Sequence, residues 1–388
     1  MWRPGEIIIH EKVSKDPAVQ GVLEKCPQVP RRYVEDAKAT TVSEASHILQ
    51  SAKTSMLDTI RAGKQVLFLA PAGSQPVDQF TMPDERIVCP NFDRLKLASN
   101  GCYYQCDWCY LKLTYRAAFP FITARVQYDR IARRMEKRIA NSRSPRIFNS
   151  GELADSLALE PLTGAARWFI PWFAERPNAY LFMLTKSDHV DAILDLRHNR
   201  RTIIAWSLNN ARISRKFEIG APSLHRRINA AQKAQEAGYP LRLRLDPIVP
   251  VEGWKKLYAE TIAQVFAKLR PERVTLGTLR FEEAFYNMRH SLFTTGPELP
   301  RLMEQMEPML PPRAQDSTRR PKPGKYSFNR QLRSEIFSFA AEEIRRYSDC
   351  RLALCKETAE VWRDVGLEPS RCACVCQLDA ADMSGRLQ

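Results

Sequence analysis

Short apolar segments alternate with amphipathic segments from about residue 94 to residue 286, and this alternation predicts repeated strand–loop–helix units. The apolar segments are rich in Ile, Leu, Val and Phe, as is typical of parallel strands buried on both faces. The predicted strands are Leu95 to Ala98, Arg146 to Asn149, Tyr180 to Thr185, Thr202 to Leu208, Leu241 to Val249 and Arg273 to Leu279. Six such units predict an α/β fold, a partial (β/α)6 barrel of the TIM type.

Helices are predicted between these strands, because apolar residues recur there at steps of three and four. Ile131, Met135 and Ile139 form one such stripe, and Val190 to Leu194 suggests another. A barrel of parallel strands carries its reacting groups on the loops that follow the strands. Functional residues are therefore expected in those loops.

The sequence on either side of the barrel differs in character. Residues 1–88 are mixed, with a predicted strand at Gln65 to Ala70 and a stretch around Ala45 to Arg61 that is compatible with a helix. After residue 286 the alternation stops, and a helix resumes at Gln331 to Tyr347. We therefore predict an N-terminal extension (1–88), a barrel (89–286) and a C-terminal region with a helix and a Cys-rich tail (287–388).

Composition excludes several classes of protein. With 44% hydrophobic and 27% charged residues the chain is neither disordered nor collagen-like. It has no apolar run of about 18 residues and no secretory signal at its start, which predicts a cytoplasmic protein. Its 59 Lys and Arg against 44 Asp and Glu favour a polyanionic partner, with nucleic acid first. The basic segment from Arg313 to Lys325 is the predicted contact.

Three of the ten cysteines follow the first predicted strand with the spacing C-x3-C-x2-C, at Cys102, Cys106 and Cys109. Three thiolates on one loop can surround one metal centre. The alternatives are a zinc loop, for which Cys89 is not far upstream as a fourth ligand, or simply buried thiols. An iron–sulfur cluster held by three cysteines leaves one iron open to another ligand, which makes it a reaction site.

The three cysteines, followed by the aromatic Tyr110, resemble the radical S-adenosyl-L-methionine (SAM) superfamily. The resemblance implies a [4Fe-4S] cluster on Cys102, Cys106 and Cys109. It also implies that SAM binds the open iron and is cleaved by one electron to a 5'-deoxyadenosyl radical.

Five further segments narrow the resemblance to the spore photoproduct lyase family. These are Leu184 to Val190, Ile204 to Asn209, Glu236 to Leu241, Asp246 to Ile248 and Glu252 to Trp254, with a weaker match at Gly324 to Tyr326. The resemblance implies a lyase that repairs DNA by abstracting hydrogen from a base lesion and cleaving a carbon–carbon bond. DNA and a reductase that donates electrons are the implied partners.

The same resemblance assigns roles to individual residues. Lys186 and Ser207 would contact SAM, because a cation suits a carboxylate and a hydroxyl can donate or accept a hydrogen bond. Tyr110 would relay a hydrogen atom beside the cofactor. Lys325 and Tyr326 would lie near the substrate, with Tyr326 taking part in catalysis.

One position departs from the family pattern. Where the family has a cysteine that returns a hydrogen atom to the product, this chain has Glu152, although Asp155 three residues later is retained. Gly151 and Glu152 instead resemble the Gly-Glu pair that binds the methionyl amine in many radical SAM enzymes, which assigns Glu152 and Asp155 to the cofactor. A carboxyl O–H is a poor hydrogen-atom donor. A different nucleotide or a small-molecule substrate is therefore an alternative, and a non-catalytic, metal-stabilised nucleic-acid-binding protein is another.

A second group of cysteines lies near the C-terminus. Cys372, Cys374 and Cys376 alternate with other residues, so in an extended segment they face one side. Cys355 or Cys350 would complete a four-sulfur set suited to zinc or a second iron–sulfur cluster. Two alternatives stay open: packing without further function, or a thiol that returns over the barrel mouth as the missing hydrogen donor.

Overall fold

The structure is a computed structural model that describes residues 2–52, 55–114, 119–293, 295–310 and 324–378. The strands are β1 (Glu6–His10), β2 (Arg31–Val34), β3 (Val66–Ala70), β4 (Val77–Phe80), β5 (Ile87–Val88), β6 (Phe92–Leu95), β7 (Ala98–Ser99), β8 (Gln105–Cys106), β9 (Ile122–Arg125), β10 (Arg146–Asn149), β11 (Ala179–Thr185), β12 (Thr202–Leu208), β13 (Glu218–Ile219), β14 (Leu241–Ile248), β15 (Arg273–Thr278), β16 (Arg280–Glu282), β17 (Glu307–Pro308), β18 (Lys325–Ser327), β19 (Arg351–Leu354) and β20 (Glu357–Thr358). The helices are α1 (Pro17–Lys25), α2 (Ala39–Ala45), α3 (His47–Ser51), α4 (Met56–Gly63), α5 (Leu111–Thr114), α6 (Tyr128–Ala140), α7 (Glu160–Thr163), α8 (Ala165–Ala174), α9 (Ala211–Phe217), α10 (Leu224–Glu236), α11 (Trp254–Lys268), α12 (Glu283–Asn287), α13 (Glu298–Met303), α14 (Arg330–Arg345) and α15 (Ala359–Asp364).

The barrel is an eight-stranded sheet in the order β19-β15-β14-β12-β11-β10-β6-β4. Seven of its strands run parallel, and β4 pairs antiparallel with β6 at one edge. Strands β11, β12 and β15 are buried almost throughout, because helices such as α8 and α10 cover their outer faces. This open, parallel α/β barrel confirms the predicted fold class.

The predicted barrel strands agree with the structure to within one residue, with one exception. The first strand, β6, ends at Leu95, whereas Leu95 to Ala98 was the predicted span. Ala98 belongs to β7 of a different sheet, because the chain turns away from the barrel at residues 96 and 97. The predicted helix at Val190 to Leu194 is wrong. This segment forms turns, and Val190 and Ile193 are buried by packing without helical backbone.

The N-terminal region is more regular than its mixed sequence indicates. It contributes β1, β2 and β3 to a five-stranded sheet that also includes β7 and β9. Strand β1, which lies between β2 and β3, is fully buried. The stretch Ala45 to Arg61 is not one helix, since Ser46 and Ser55 each cap the start of a new short helix and so divide it.

The C-terminal region packs onto the barrel and extends it. Helix α14 packs against α11, and β19 then adds a seventh parallel strand beside β15. The next strand, β20, pairs with β5 just before the first barrel strand. Cys355, which lies between β19 and β20, is therefore buried at the barrel. The division at residues 88 and 286 stays a prediction. In the described part of the chain no helix is long and apolar enough to cross a membrane.

Candidate functional site: a cysteine loop and a thiol cavity on the barrel

The three-cysteine loop is fixed by a short antiparallel pairing. Cys106 in β8 lies opposite Glu218 in β13. The N–H of Asp107 donates to the carbonyl oxygen of Phe217 at 2.8 Å, and the N–H of Cys109 donates to that of Cys106 at 3.2 Å. The loop is thus held against the segment that follows β12, so its sulfurs lie near the C-terminal end of that strand.

Close backbone packing holds the start of the loop against the neighbouring one. Gly101 forms a bridge with Ala154, which belongs to the loop after β10. A Cβ at Gly101 would lie 2.3 Å from the Cβ of Ala98, so no larger residue fits there. Lys64 binds the same turn, since its Nζ donates to Asn100 Oδ1 at 3.3 Å and to the carbonyl oxygen of Cys102.

The donor set of this loop fits an iron–sulfur cluster. Burial raises the pKa of Cys102 well above its usual range and that of Cys106 to about 12, while Lys64 beside the first and Lys186 beside the second oppose the rise. Soft sulfur ligands close to cations suit a cluster that adds negative charge. Cys106 and Cys109 line a pocket beside the loop.

A single metal ion is a poorer fit. Among the described residues, no three His, Cys, Asp or Glu side chains approach closely enough to hold one ion. Each cysteine of a three-cysteine cluster binds a different iron atom, so the three sulfurs need not converge on one point.

Lys186 lies in a buried ionic network that the sequence does not reveal. Its Nζ is 3.6 Å from Oε1 of Glu218, and Arg227 Nη2 is 2.6 Å from the other carboxylate oxygen. Burial lowers the pKa of Lys186, but Glu218 and Cys106 outweigh that effect and raise it. Lys186 is therefore a cation beside the cysteine loop, as contact with a carboxylate of SAM requires.

Asp155 acts on the backbone around this network. Its Oδ1 accepts hydrogen bonds from the N–H groups of Leu157 and Ala158 at 3.0 and 2.9 Å and from Thr185 Oγ1 at 2.6 Å. Its Oδ2 accepts from the N–H of Lys186 at 2.6 Å. Asp155 thus joins the loop after β10 to the end of β11 and positions Lys186.

Asp155→Asn should destabilise the fold by about 1.5–3 kcal/mol, because the amide removes a charge that accepts four hydrogen bonds. Urea denaturation of both proteins measures this change. Asp191→Asn is the matched control, since its side chain is 78% exposed and pairs with Lys233 at the surface. Equal losses in both variants would contradict the positioning role of Asp155.

Glu152 lies between the cysteine loop and the barrel interior. Its backbone carbonyl oxygen accepts a hydrogen bond from the hydroxyl of Tyr110, and its side chain forms an ion pair with Lys356 at 3.2 Å. A Cβ at Gly151 would be 2.6 Å from the Cβ of Leu184, so glycine is required for this loop to lie against β11. Tyr110 and Glu152, distant in sequence, are in direct contact.

The remaining predicted residues lie at two places. Ser207 is buried near the end of β12, and its carbonyl oxygen accepts a hydrogen bond from Arg227. Lys325 and Tyr326 lie in β18, where Lys325 pairs with Glu282 at 3.3 Å and Tyr326 stacks on Tyr286 with ring centroids 4.0 Å apart. Burial and the nearby Lys356 lower the pKa of Lys325.

The C-terminal cysteines return to the barrel interior and form what we call the thiol cavity. This cavity is lined by the four thiols of Cys89, Cys355, Cys374 and Cys376, and by the charged groups of Glu152, Arg244 and Lys356. Cys372, predicted as a member of the same set, does not line it. Cys89, which precedes the first barrel strand, lines the cavity instead and is its fourth thiol.

Two arginines face one of these thiols. Cys355 Sγ accepts hydrogen bonds from Arg244 Nη2 at 2.6 Å and Arg280 Nη2 at 3.1 Å, and both arginines pair with Asp246. Sequence reasoning missed these residues. The alternation of Arg242, Arg244 and Asp246 with apolar residues in β14 was the available signal, because alternate residues of a strand share one face.

Comparison with known proteins agrees with this geometry. The family model "Spore photoproduct lyase" matches residues 93–348. The chain is 30% identical to spore photoproduct lyase from Geobacillus sp. (strain Y412MC61) over 250 residues, which are 64% of this chain and 70% of that protein. It is also 30% identical to the Bacillus subtilis (strain 168) enzyme over 254 residues, 65% of this chain and 71% of the relative.

Solved structures share the fold. A structure of spore photoproduct lyase complexed with dinucleoside spore photoproduct has a TM-score of 0.75 and 22% identity, covering 91% of this chain and 99% of that one. A variant of that lyase with bound AdoMet and the same dinucleoside also has a TM-score of 0.75 and 22% identity, with 91% and 98% of the two chains covered.

The fold, the three-cysteine loop and the family match define the class: the chain is a radical SAM enzyme with a TIM-type barrel. More narrowly, it belongs to the spore photoproduct lyase family, whose members are radical SAM lyases. The alternative of a non-catalytic nucleic-acid-binding protein is therefore discarded.

Proposed function

We propose that this enzyme repairs a thymine photoproduct in DNA by radical cleavage of a carbon–carbon bond. The observation that carries the proposal is the arrangement of Cys102, Cys106 and Cys109 beside the partly buried cation Lys186, in a chain that belongs to this family. The net charge of +15 supports a polyanionic substrate.

We assign the [4Fe-4S] cluster to Cys102, Cys106 and Cys109. When bound, the cluster supplies the electron that cleaves SAM. Lys186 binds the carboxylate of SAM, and Glu218 beside it keeps the lysine charged. Ser207 supplies a hydroxyl at the end of the neighbouring strand β12.

The other predicted residues divide into contacting and positioning groups. Glu152 contacts SAM through its carboxylate, while Asp155 positions Lys186 through backbone hydrogen bonds. Tyr110 lies next to Glu152 and serves as the hydrogen relay. Tyr326 and Lys325 act on the substrate side, where β18 pairs with β16 just after the last predicted barrel strand. The predicted DNA contact from Arg313 lies mostly outside the described residues.

Anaerobic reconstitution with iron, sulfide and a strong reductant tests this function. We expect release of 5'-deoxyadenosine and methionine from SAM. With an oligonucleotide that contains spore photoproduct, we also expect restored thymines. Undamaged oligonucleotide and one with a cyclobutane thymine dimer are the controls. Intact SAM after reconstitution would refute the proposal.

A second substrate class is favoured by one observation. Glu152 stands where the family pattern has a thiol, and its carboxylate forms an ion pair with Lys356. If 5'-deoxyadenosine forms but the lesion is unchanged, a different nucleotide or a small molecule is the substrate. Screening nucleotides for stimulation of 5'-deoxyadenosine release then identifies its class.

A second metal at Cys355, Cys372, Cys374 and Cys376 stays a prediction that iron counting can test. Deleting the C-terminal region would be a poor test, because β19 is a strand of the barrel. Cys374→Ser together with Cys376→Ser leaves the barrel strands intact. Unchanged iron, sulfide and zinc content in this double variant would exclude a second metal.

A further inference from the structure

Two sulfurs of the thiol cavity are in direct contact. Sγ of Cys374 lies 3.3 Å from Sγ of Cys376, a distance at which one thiol donates a hydrogen bond to the other sulfur. Both cysteines line the same cavity as Glu152. The pair is therefore a dithiol inside the barrel and not an exposed tail.

The barrel holds this dithiol in place through its inner face. Arg242 donates to the carbonyl oxygens of Val375 and Gln377 at 2.6 and 2.7 Å. The N–H of Val375 donates to Thr275 Oγ1 at 3.0 Å, and this hydroxyl lies 3.8 Å from Cys374 Sγ. Groups from β14 and β15 thus fix the position of the two sulfurs.

The chemistry of the proposed function requires a hydrogen-atom donor. Breaking a carbon–carbon bond by a radical route leaves an unpaired electron on a product carbon, and a C–H bond must form there. An S–H bond is weaker than the O–H bond of a carboxylic acid, so thiols donate hydrogen atoms readily. Glu152 cannot supply such a hydrogen, whereas the dithiol in the same cavity can.

We propose that the Cys374–Cys376 pair is the hydrogen-atom donor of this enzyme, an inference that rests on the proposed function. One S–H bond breaks and one product C–H bond forms, which leaves the unpaired electron on sulfur. The other cysteine of the pair enters this step as a thiolate, having released its proton to solvent, and bonds to that sulfur to give a disulfide radical anion.

The remaining electron needs an acceptor. The radical anion passes one electron to a low-potential one-electron carrier, such as an oxidised flavodoxin, ferredoxin or viologen, and becomes a disulfide. In total the dithiol monoanion loses one hydrogen atom and one electron, and a dithiol reductant then restores it with two electrons. Contact between the sulfurs is what makes this route available, because a lone thiol has no partner for the S–S bond.

The test compares Cys376→Ser and Cys374→Ser with wild type in D2O. Serine preserves size but removes the weak S–H bond. In wild type we expect one deuterium per repaired lesion, because thiol protons exchange with solvent. In Cys376→Ser we expect the ratio of repaired thymine to 5'-deoxyadenosine to fall by at least about tenfold, while 5'-deoxyadenosine release changes by less than about twofold.

Cys26→Ser is the control, since Cys26 is buried in the core of the N-terminal region and does not line the cavity. It should retain the wild-type ratio. A second readout is mass spectrometry of the peptide that contains Cys374 and Cys376. After a single addition of SAM, this peptide should contain a disulfide only in samples that also received the lesion substrate. Thermal unfolding of each variant identifies any loss caused by misfolding.

Failure of this inference and failure of the proposed function give different results. If wild type releases no 5'-deoxyadenosine, the proposed function fails first. If wild type repairs the lesion and both serine variants keep its ratio and its deuterium content, the donor lies elsewhere and this inference is overturned. An equal fall in the ratio of repaired thymine to 5'-deoxyadenosine in Cys26→Ser would overturn it as well.

Discussion

Cys106→Ala is expected to abolish cluster assembly and SAM cleavage together. Cys106 is the central cysteine of the loop, and it lies opposite Glu218 in the β8–β13 pairing, where Lys186 approaches its sulfur. Two remaining thiols cannot hold the three irons that the loop must bind. We expect iron and sulfide near background after anaerobic reconstitution, and 5'-deoxyadenosine release at least about 100-fold lower.

Cys26→Ala is the control for this experiment. Cys26 is also buried, but it packs in the core of the N-terminal region and belongs to no predicted ligand set. It should keep the wild-type iron content and the wild-type rate of SAM cleavage. A Cys106→Ala protein that retained a full complement of iron would show that Cys106 is not a ligand.

Much of the fold could be predicted because its strands carry local signals. Arg146 to Asn149 and Thr202 to Leu208 were predicted with the bounds that the structure shows, since a strand buried on both faces is apolar along its length. Strand β19 could not be predicted in the same way. It has four residues and lies far from its partner β15 in sequence, so only tertiary pairing identifies it.

The candidate site was predictable where the chemistry lies within one loop. The spacing of Cys102, Cys106 and Cys109 is visible in the sequence, and so is their position after the first strand. Their surroundings were not visible in the sequence. Glu218, which forms the ion pair with Lys186, lies beside the cysteine loop only because β13 pairs with β8, more than 100 positions away. Likewise the role of Cys89 in the thiol cavity depends on the return of the chain through β20 to β5.

Arg227→Met is expected to destabilise the protein by about 3–5 kcal/mol, because it leaves a buried carboxylate without its main partner. The Arg227 side chain is 0% exposed and that of Glu218 is 1% exposed, with 2.6 Å between Nη2 and Oε2. The arginine also donates to Ser214 Oγ at 2.9 Å and to the carbonyl oxygen of Ser207 at 3.1 Å. Urea denaturation at pH 7 measures the loss.

Arg226→Met is the matched control. Arg226 is the adjacent residue, but its side chain is 65% exposed and pairs with Asp188 near the surface. Exposed ion pairs contribute about 0–1 kcal/mol, so this variant should unfold close to the wild-type midpoint. Equal destabilisation by the two variants would contradict the role assigned to the buried network.

The pH dependence of the Arg227→Met loss gives a second check. Burial raises the pKa of Glu218, but Arg227 and Lys186 more than compensate and lower it below its ordinary value of 4.5. A lowered pKa in the folded state adds stability above pH 4.5 that is lost as the pH falls through the folded-state pKa. Without Arg227 burial dominates, so the pKa of Glu218 should rise and the variant should lose stability as the pH increases. The difference in unfolding free energy between wild type and Arg227→Met should therefore become smaller from pH 7 to pH 4. A difference that stays constant or grows on acidification would show that Glu218 is not the group that Arg227 stabilises.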